Sequence, residues 1–106
     1  MPILKAQPTL FDFQKYVLEM QSERGFINNT VLQNSLMLGE EVGELFKSIR
    51  KAEKIKIDNN SEVGEIGEEI TDVFIYLCSL ANHYKIDLEE SFREKEEVNK
   101  KRVWTI

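Results

Sequence analysis

Residues 65–84 read EIGEEITDVFIYLCSLANHY, and their spacing decides the fold. Ile66, Ile70, Val73, Phe74, Leu77, Leu80 and Ala81 recur at three- and four-residue intervals, the period of one helical face. Nothing breaks the run, because both prolines, Pro2 and Pro8, stand in the first eight residues. A helix apolar along one side holds its shape by burying that side against other helices. Ile75 and Cys78 lie off this stripe. They predict a second covered face, and a second copy of the chain is the expected cover.

The neighbouring segments repeat the pattern. Asn28, Asn29 and Thr30 offer caps for a helix of roughly Val31 to Glu53, with Val31, Leu38, Val42, Leu45, Ile49 and Ala52 in one stripe. Residues 55–64, centred on the polar run KIDNNS, form a central loop. Gly64 and Gly67 blur the start of the third helix, since glycine costs about 1 kcal/mol against alanine in a helix interior. Ahead of these, Thr9 with Asp12 three residues on marks the start of a first helix. Its apolar positions Leu10, Phe13, Val17 and Met20 lead to a stop at Gly25. Residues 1–8 are an N-terminal extension. Asp87 with Glu90 opens a fourth helix reaching about Arg102, whose thin apolar side (Leu88, Phe92, Val98) suits the edge of a core or a partner. The expectation is an all-α, four-to-five-helix bundle, one domain over residues 1–106, completed by oligomerisation.

Composition narrows the class. Of 106 residues, 42% are apolar and 31% charged, an ordinary globular balance. A chain this short buries only about 60–65% of its unfolded surface, so a partner copy would help it. Nineteen acidic residues against 14 basic leave a net charge of −5, which disfavours nucleic acid. The single cysteine, Cys78, excludes an internal disulfide and fits a reducing compartment; with one histidine it cannot build a structural zinc site. The opening MPILKAQPTL lacks the apolar run of a signal peptide, and no stretch approaches a membrane span. A cytoplasmic protein is expected.

The chemistry is expected at Glu40-Glu41-Val42-Gly43-Glu44 on the second helix and Glu69-Ile70-Thr71-Asp72 on the third. Residues three apart on a helix are neighbours, so Glu41/Glu44 and Glu69/Asp72 each make a pair one turn long. Antiparallel packing would bring four carboxylates together, and their repulsion calls for a cation. Oxygen ligands select Mg²⁺, Mn²⁺ or Ca²⁺. Other acidic pairs, such as Glu62/Glu65 and Glu94/Glu97, read as solvated faces. In the chosen pairs Glu41 and Glu69 border the apolar stripes, where a carboxylate loses part of its hydration, with Glu44 and Asp72 further out; on these residues alone a metal site and a solvated acidic face both stand.

EEVGE, a spacer of 24 residues and EITD together resemble the EExxE…ExxD signature of the MazG-like, all-α nucleoside triphosphate pyrophosphohydrolases. Ser35-Leu36-Met37-Leu38-Gly39, leading into EEVGE, and Glu97-Val98-Asn99-Lys100-Lys101-Arg102, downstream of EITD, are similar to that family's flanking segments. The resemblance spans about Leu32 to Trp104. It implies metal ligation by Glu41, Glu44, Glu69 and Asp72, with Mg²⁺ as the ion and Mn²⁺ as its alternative. It further implies nucleotide contacts from Asn99, Lys100 and Arg102, and hydrolysis of a nucleoside triphosphate, a dNTP in a house-cleaning role, to monophosphate and pyrophosphate. A metal-activated water would attack, with Glu40, Glu41 or Glu44 as general base. A homodimer or a dimer-of-dimers tetramer follows the family's habit. Alternatives are a phosphoribosyl-ATP pyrophosphohydrolase or dUTPase-like member, and a helical interaction or nucleotide-sensing module without turnover.

Remaining candidates take plainer readings. His83 stands eleven residues beyond Asp72, about 16 Å along a helix, and reads as a surface histidine. Cys78 has no basic neighbour in sequence and reads as unreactive. Trp104, Phe26 and Tyr16 read as packing residues before base-stacking ones, and Lys47 and Lys51 as solvated. Met20 reads as core filler, and Met37 as core filler bordering the acidic flank.

Overall fold

A computed structural model describes residues 1–26 and 28–105. Four helices appear in the order α1 (Leu10–Glu23), α2 (Val31–Ala52), α3 (Ile66–His83) and α4 (Leu88–Asn99), with no strand among the described residues. Thr9 caps α1 by accepting from the Asp12 amide while Asp12 accepts from the Thr9 amide; Thr30 and Gln33 do the same for α2. Asp87 caps α4 at the Glu90 amide. Helix α4 stops at Asn99, earlier than the sequence pattern suggests, so Lys100 and Arg102 lie beyond its last turn.

Three helices end in one way. After α1, Gly25 turns left-handed (φ 79°), its amide bonds to Ser22, and the Phe26 amide reaches back to Gln21. After α2, Lys54 (φ 57°) and Ile55 repeat these bonds; after α3, Lys85 (φ 56°) and Ile86 repeat them again. This is the Schellman closure, with an apolar residue following the left-handed one each time. Glycine adopts that conformation freely, whereas Lys54 and Lys85 take it at a steric cost.

Helix α3 lies in the middle, packed against α2 on one side and α1 on the other, while α4 rests on α1. The core is Val17, Met20 and Cys78, flanked by Tyr16, Phe74, Ile75 and Leu88, with Phe13 set edge-on to Phe74 at 5.6 Å. Gln14, buried on α1, ties the helices together. Its Nε2 donates to Asn82 Oδ1 (3.2 Å) and to the Ile86 carbonyl (2.8 Å), and its Oε1 accepts from the Leu88 amide (2.8 Å). Leu88 opens α4, so this side chain satisfies one of the amides a helix start leaves free.

Helix α3 buries the Ile75–Cys78 face that the sequence assigned to a second copy, and of its main stripe Phe74 packs on the core and Ala81 is buried. Cys78 is completely buried, whereas Ile70 and Leu77 are 52% and 44% exposed. Helix α1 of the same chain covers the Cys78 side, which overturns the expectation of a second copy there. Ile49 and Phe46 on α2 and Phe92 on α4 are exposed as well. The radius of gyration, 16.6 Å, exceeds the ~13 Å of a compact domain this long. The chain is an open layer of helices with unpartnered apolar faces.

Candidate metal centre

The α2–α3 packing brings the two acidic motifs together. Glu41 from α2 and Glu69 and Asp72 from α3 each place a carboxylate oxygen within 4.8 Å of the others. Each motif contributes because the i,i+3 step keeps its acids on one face, and that face meets its counterpart across the helix pair. Glu44 stands outside this trio and is exposed, yet its charge reaches both Glu41 and Glu69. Glu40 is exposed and adds to the negative field at Glu41.

Partial burial raises the Glu41 carboxyl above the usual carboxylate range, and Asp72, Glu69, Glu44 and Glu40 push it further. Glu69 is raised by loss of hydration and then by Asp72, Glu44 and Glu68. Burial next to Glu41 and Asp72 raises the Tyr76 hydroxyl too. No lysine or arginine forms an ion pair with the trio among the described residues. A carboxylate trio that is half-buried, all-oxygen and pressed by further acids has the donor chemistry that suits a hard divalent cation.

A cavity of about 190 Å³ opens beside the trio, with Glu41 and Asp72 in its wall. Arg24, Phe26, Asn34 and Tyr76 line it too. Asn34 is buried, and its Nδ2 donates to Ser79 Oγ at 3.3 Å. Tyr76 points its hydroxyl at the Met37 sulfur, 3.8 Å away. Sequence reasoning missed Arg24, Asn34 and Tyr76 here. The spacing held a signal for two of them, since Asn34 precedes Glu41 by two helical turns and Tyr76 follows Asp72 by one.

The other expected residues lie elsewhere. Asn99 donates to Glu96 and Lys100 pairs with Glu97, while Arg102 is exposed; none of the three lines the cavity. Lys100 borders a groove between α4 and Leu10. Phe26 reaches the cavity wall, whereas Tyr16 flanks the core and Trp104 is exposed. His83 is exposed and set edge-on to Tyr84. Burial pushes the Cys78 thiol up to about 11, the inert form its sequence setting suggests.

An all-α hairpin that gathers paired carboxylates beside a small cavity defines a class, and comparison with known proteins gives it a name. The sequence model of the MazG nucleotide pyrophosphohydrolase domain matches residues 29–103. The chain is similar to the crystal structure of iMazG from Vibrio DAT 722, in its Ctag form, at 34% identity and a TM-score of 0.61. That match covers 87% of this chain and 98% of the other. The Ntag form matches with the same identity and TM-score, over 87% and 94% of the two chains. No curated protein matches. The chain belongs to the MazG nucleotide pyrophosphohydrolase family.

Proposed function

We propose that this chain hydrolyses nucleoside triphosphates, dNTPs in a house-cleaning role, to the monophosphate and pyrophosphate in a Mg²⁺-dependent reaction, with Mn²⁺ as an alternative ion. The observation that carries the reading is the meeting of Glu41, Glu69 and Asp72 beside a cavity of about 190 Å³. Glu41, Glu69 and Asp72 hold the metal, and Glu44 joins them from one turn along α2. When bound, the ion neutralises phosphate charge and lowers the pKa of the attacking water.

The chain's own residues supply positioning and proton transfer. With a cation bound, the acidic trio would mark where the triphosphate lies, and the cavity walls of Phe26, Asn34 and Tyr76 receive the nucleoside end. Water gives its oxygen to the monophosphate, the bridge between the α- and β-phosphorus breaks, and pyrophosphate leaves with the bonding pair. Glu40, Glu41 or Glu44 accepts the water's proton. Arg24, in the cavity wall, is a cation for the phosphate chain.

A second copy completes the protein. The exposed Ile70, Leu77, Phe46 and Phe92 and the large radius of gyration support a homodimer or a dimer of dimers. Asn99, Lys100 and Arg102, away from their own cavity, then act in a neighbouring protomer's site. A cytoplasmic nucleotide pool fits this activity, and no described helix is long and apolar enough to cross a membrane.

The test is product analysis over a panel of NTPs and dNTPs, with Mg²⁺ and with EDTA, resolving pyrophosphate from orthophosphate. Monophosphate and pyrophosphate are expected with Mg²⁺ only, highest for a dNTP, and lost in Glu41→Gln. Absence of both turnover and Mg²⁺-dependent nucleotide binding would overturn the reading.

A further inference from the structure

Gly64 stands two residues before the first residue of α3, with Glu65 as the intervening N-cap. Its φ is not left-handed, so conformational freedom does not explain a glycine there. Space does. A Cβ built on Gly64 would run into the Glu69 carboxylate oxygen and lie 3.1 Å from Glu69 Cδ and 3.6 Å from Cγ. Gly64 and Glu69 occupy the two positions, before the cap and one turn into the helix, at which paired apolar side chains ordinarily clasp a helix start. Here one side chain is absent and a carboxylate lies in the vacated space. Gly67, inside the first turn, contrasts with it: a Cβ there meets nothing within 4 Å.

We infer that Gly64 is a positioning residue for the metal centre: the missing side chain at the mouth of α3 lets the Glu69 carboxylate fold back to join Glu41 and Asp72. A methyl group at Gly64 would displace the far end of a flexible side chain, which spares the fold and moves a ligand. The inference rests on the metal reading above and adds a residue outside both acidic motifs.

The experiment titrates the full-length protein with Mn²⁺ alone, reading free ion by electron paramagnetic resonance, for wild type, Gly64→Ala and Gly67→Ala. Melting temperatures in EDTA accompany each titration. Gly64→Ala should weaken Mn²⁺ binding by about 10–100-fold, the usual loss when a ligand's support is removed, with its EDTA melting temperature preserved. Gly67→Ala should bind like wild type. Wild-type affinity in Gly64→Ala, an equal loss in Gly67→Ala, or a collapsed EDTA melting temperature in Gly64→Ala would each overturn the inference while leaving the metal reading intact. Failure of the wild type itself to bind Mn²⁺ would overturn both.

Discussion

Replacing Gln14 by methionine keeps the length and most of the volume of the side chain while removing every polar atom from it. Three hydrogen bonds vanish, to Asn82, to the Ile86 carbonyl and from the Leu88 amide, at a residue only 5% exposed. At about 1 kcal/mol net for each, the loss is ~3 kcal/mol, with the Leu88 amide and Ile86 carbonyl left to seek water. A domain of this size holds roughly 5–15 kcal/mol in total, so the fraction is large. The melting temperature should fall by roughly 10–20 °C. The assay is urea unfolding followed by circular dichroism, at one fixed protein concentration so that self-association does not enter the difference. Gln7→Met, at an exposed position, is the control and should stay within about 0.5 kcal/mol. A loss below about 1 kcal/mol in Gln14→Met with an unchanged m value would refute the reasoning, because water would then satisfy the ends of α3 and α4 as well as Gln14 does.

Other expectations are shorter to state. Glu41→Gln and Asp72→Asn should abolish turnover and yet melt higher than wild type in EDTA at neutral pH, because each removes one member of a repelling group. Mg²⁺ should raise the wild-type melting temperature and not theirs. The raised Glu41 and Glu69 carboxyls bind protons more tightly folded than unfolded. Metal-free stability should therefore fall as pH rises from the ordinary carboxylate pKa through the raised folded values, and Mg²⁺ should flatten that fall, as melting in EDTA and in Mg²⁺ across pH 4–8 would reveal. The Cys78 thiol, wholly buried and pushed up to about 11, should resist a thiol reagent in the native protein and react at once in urea. Lys100→Ala mixed with Glu41→Gln should recover part of the activity lost in each alone; no recovery would show that Lys100 serves its own protomer.

The acidic cluster was legible because carboxylates one helical turn apart leave a direct mark on sequence; Glu41, Glu69 and Asp72 meet, while Glu44, at the same spacing, stays outside the trio. The helix starts at Thr9 and Asp87 were legible for the same reason, each cap having a partner three residues on, whereas Thr30 stood beside Asn28 and Asn29 as one of three candidates until Gln33 was seen to close its box. The helix ends were less so. Gly25 announces a left-handed turn, whereas Lys54 and Lys85 adopt it with a side chain that gives no warning. The cover of the Ile75–Cys78 face was misjudged because periodicity locates apolar residues without saying which neighbour arrives; α1 rather than a second copy took that face, and Leu77 stayed half open. Gln14 and Asn34 were invisible for a different reason. Polar residues read as surface until a specific partner, the Ile86 carbonyl or Ser79, is seen to receive them.

The order in which the chain is made gives the layered arrangement a consequence. The two acidic motifs sit on consecutive helices, so their half of the molecule closes across one connecting loop, residues 53–65. Gln14 instead bonds across 68, 72 and 74 residues. Helix α1 is synthesised ahead of α2 and α3, and its buried residues Val17 and Met20 lack their α3 counterpart until Cys78 leaves the ribosome. At about 5–20 residues per second, that interval is roughly 3–12 s. The N-terminal helix is thus the segment that waits during translation, and the acidic hairpin is the part that synthesis delivers whole.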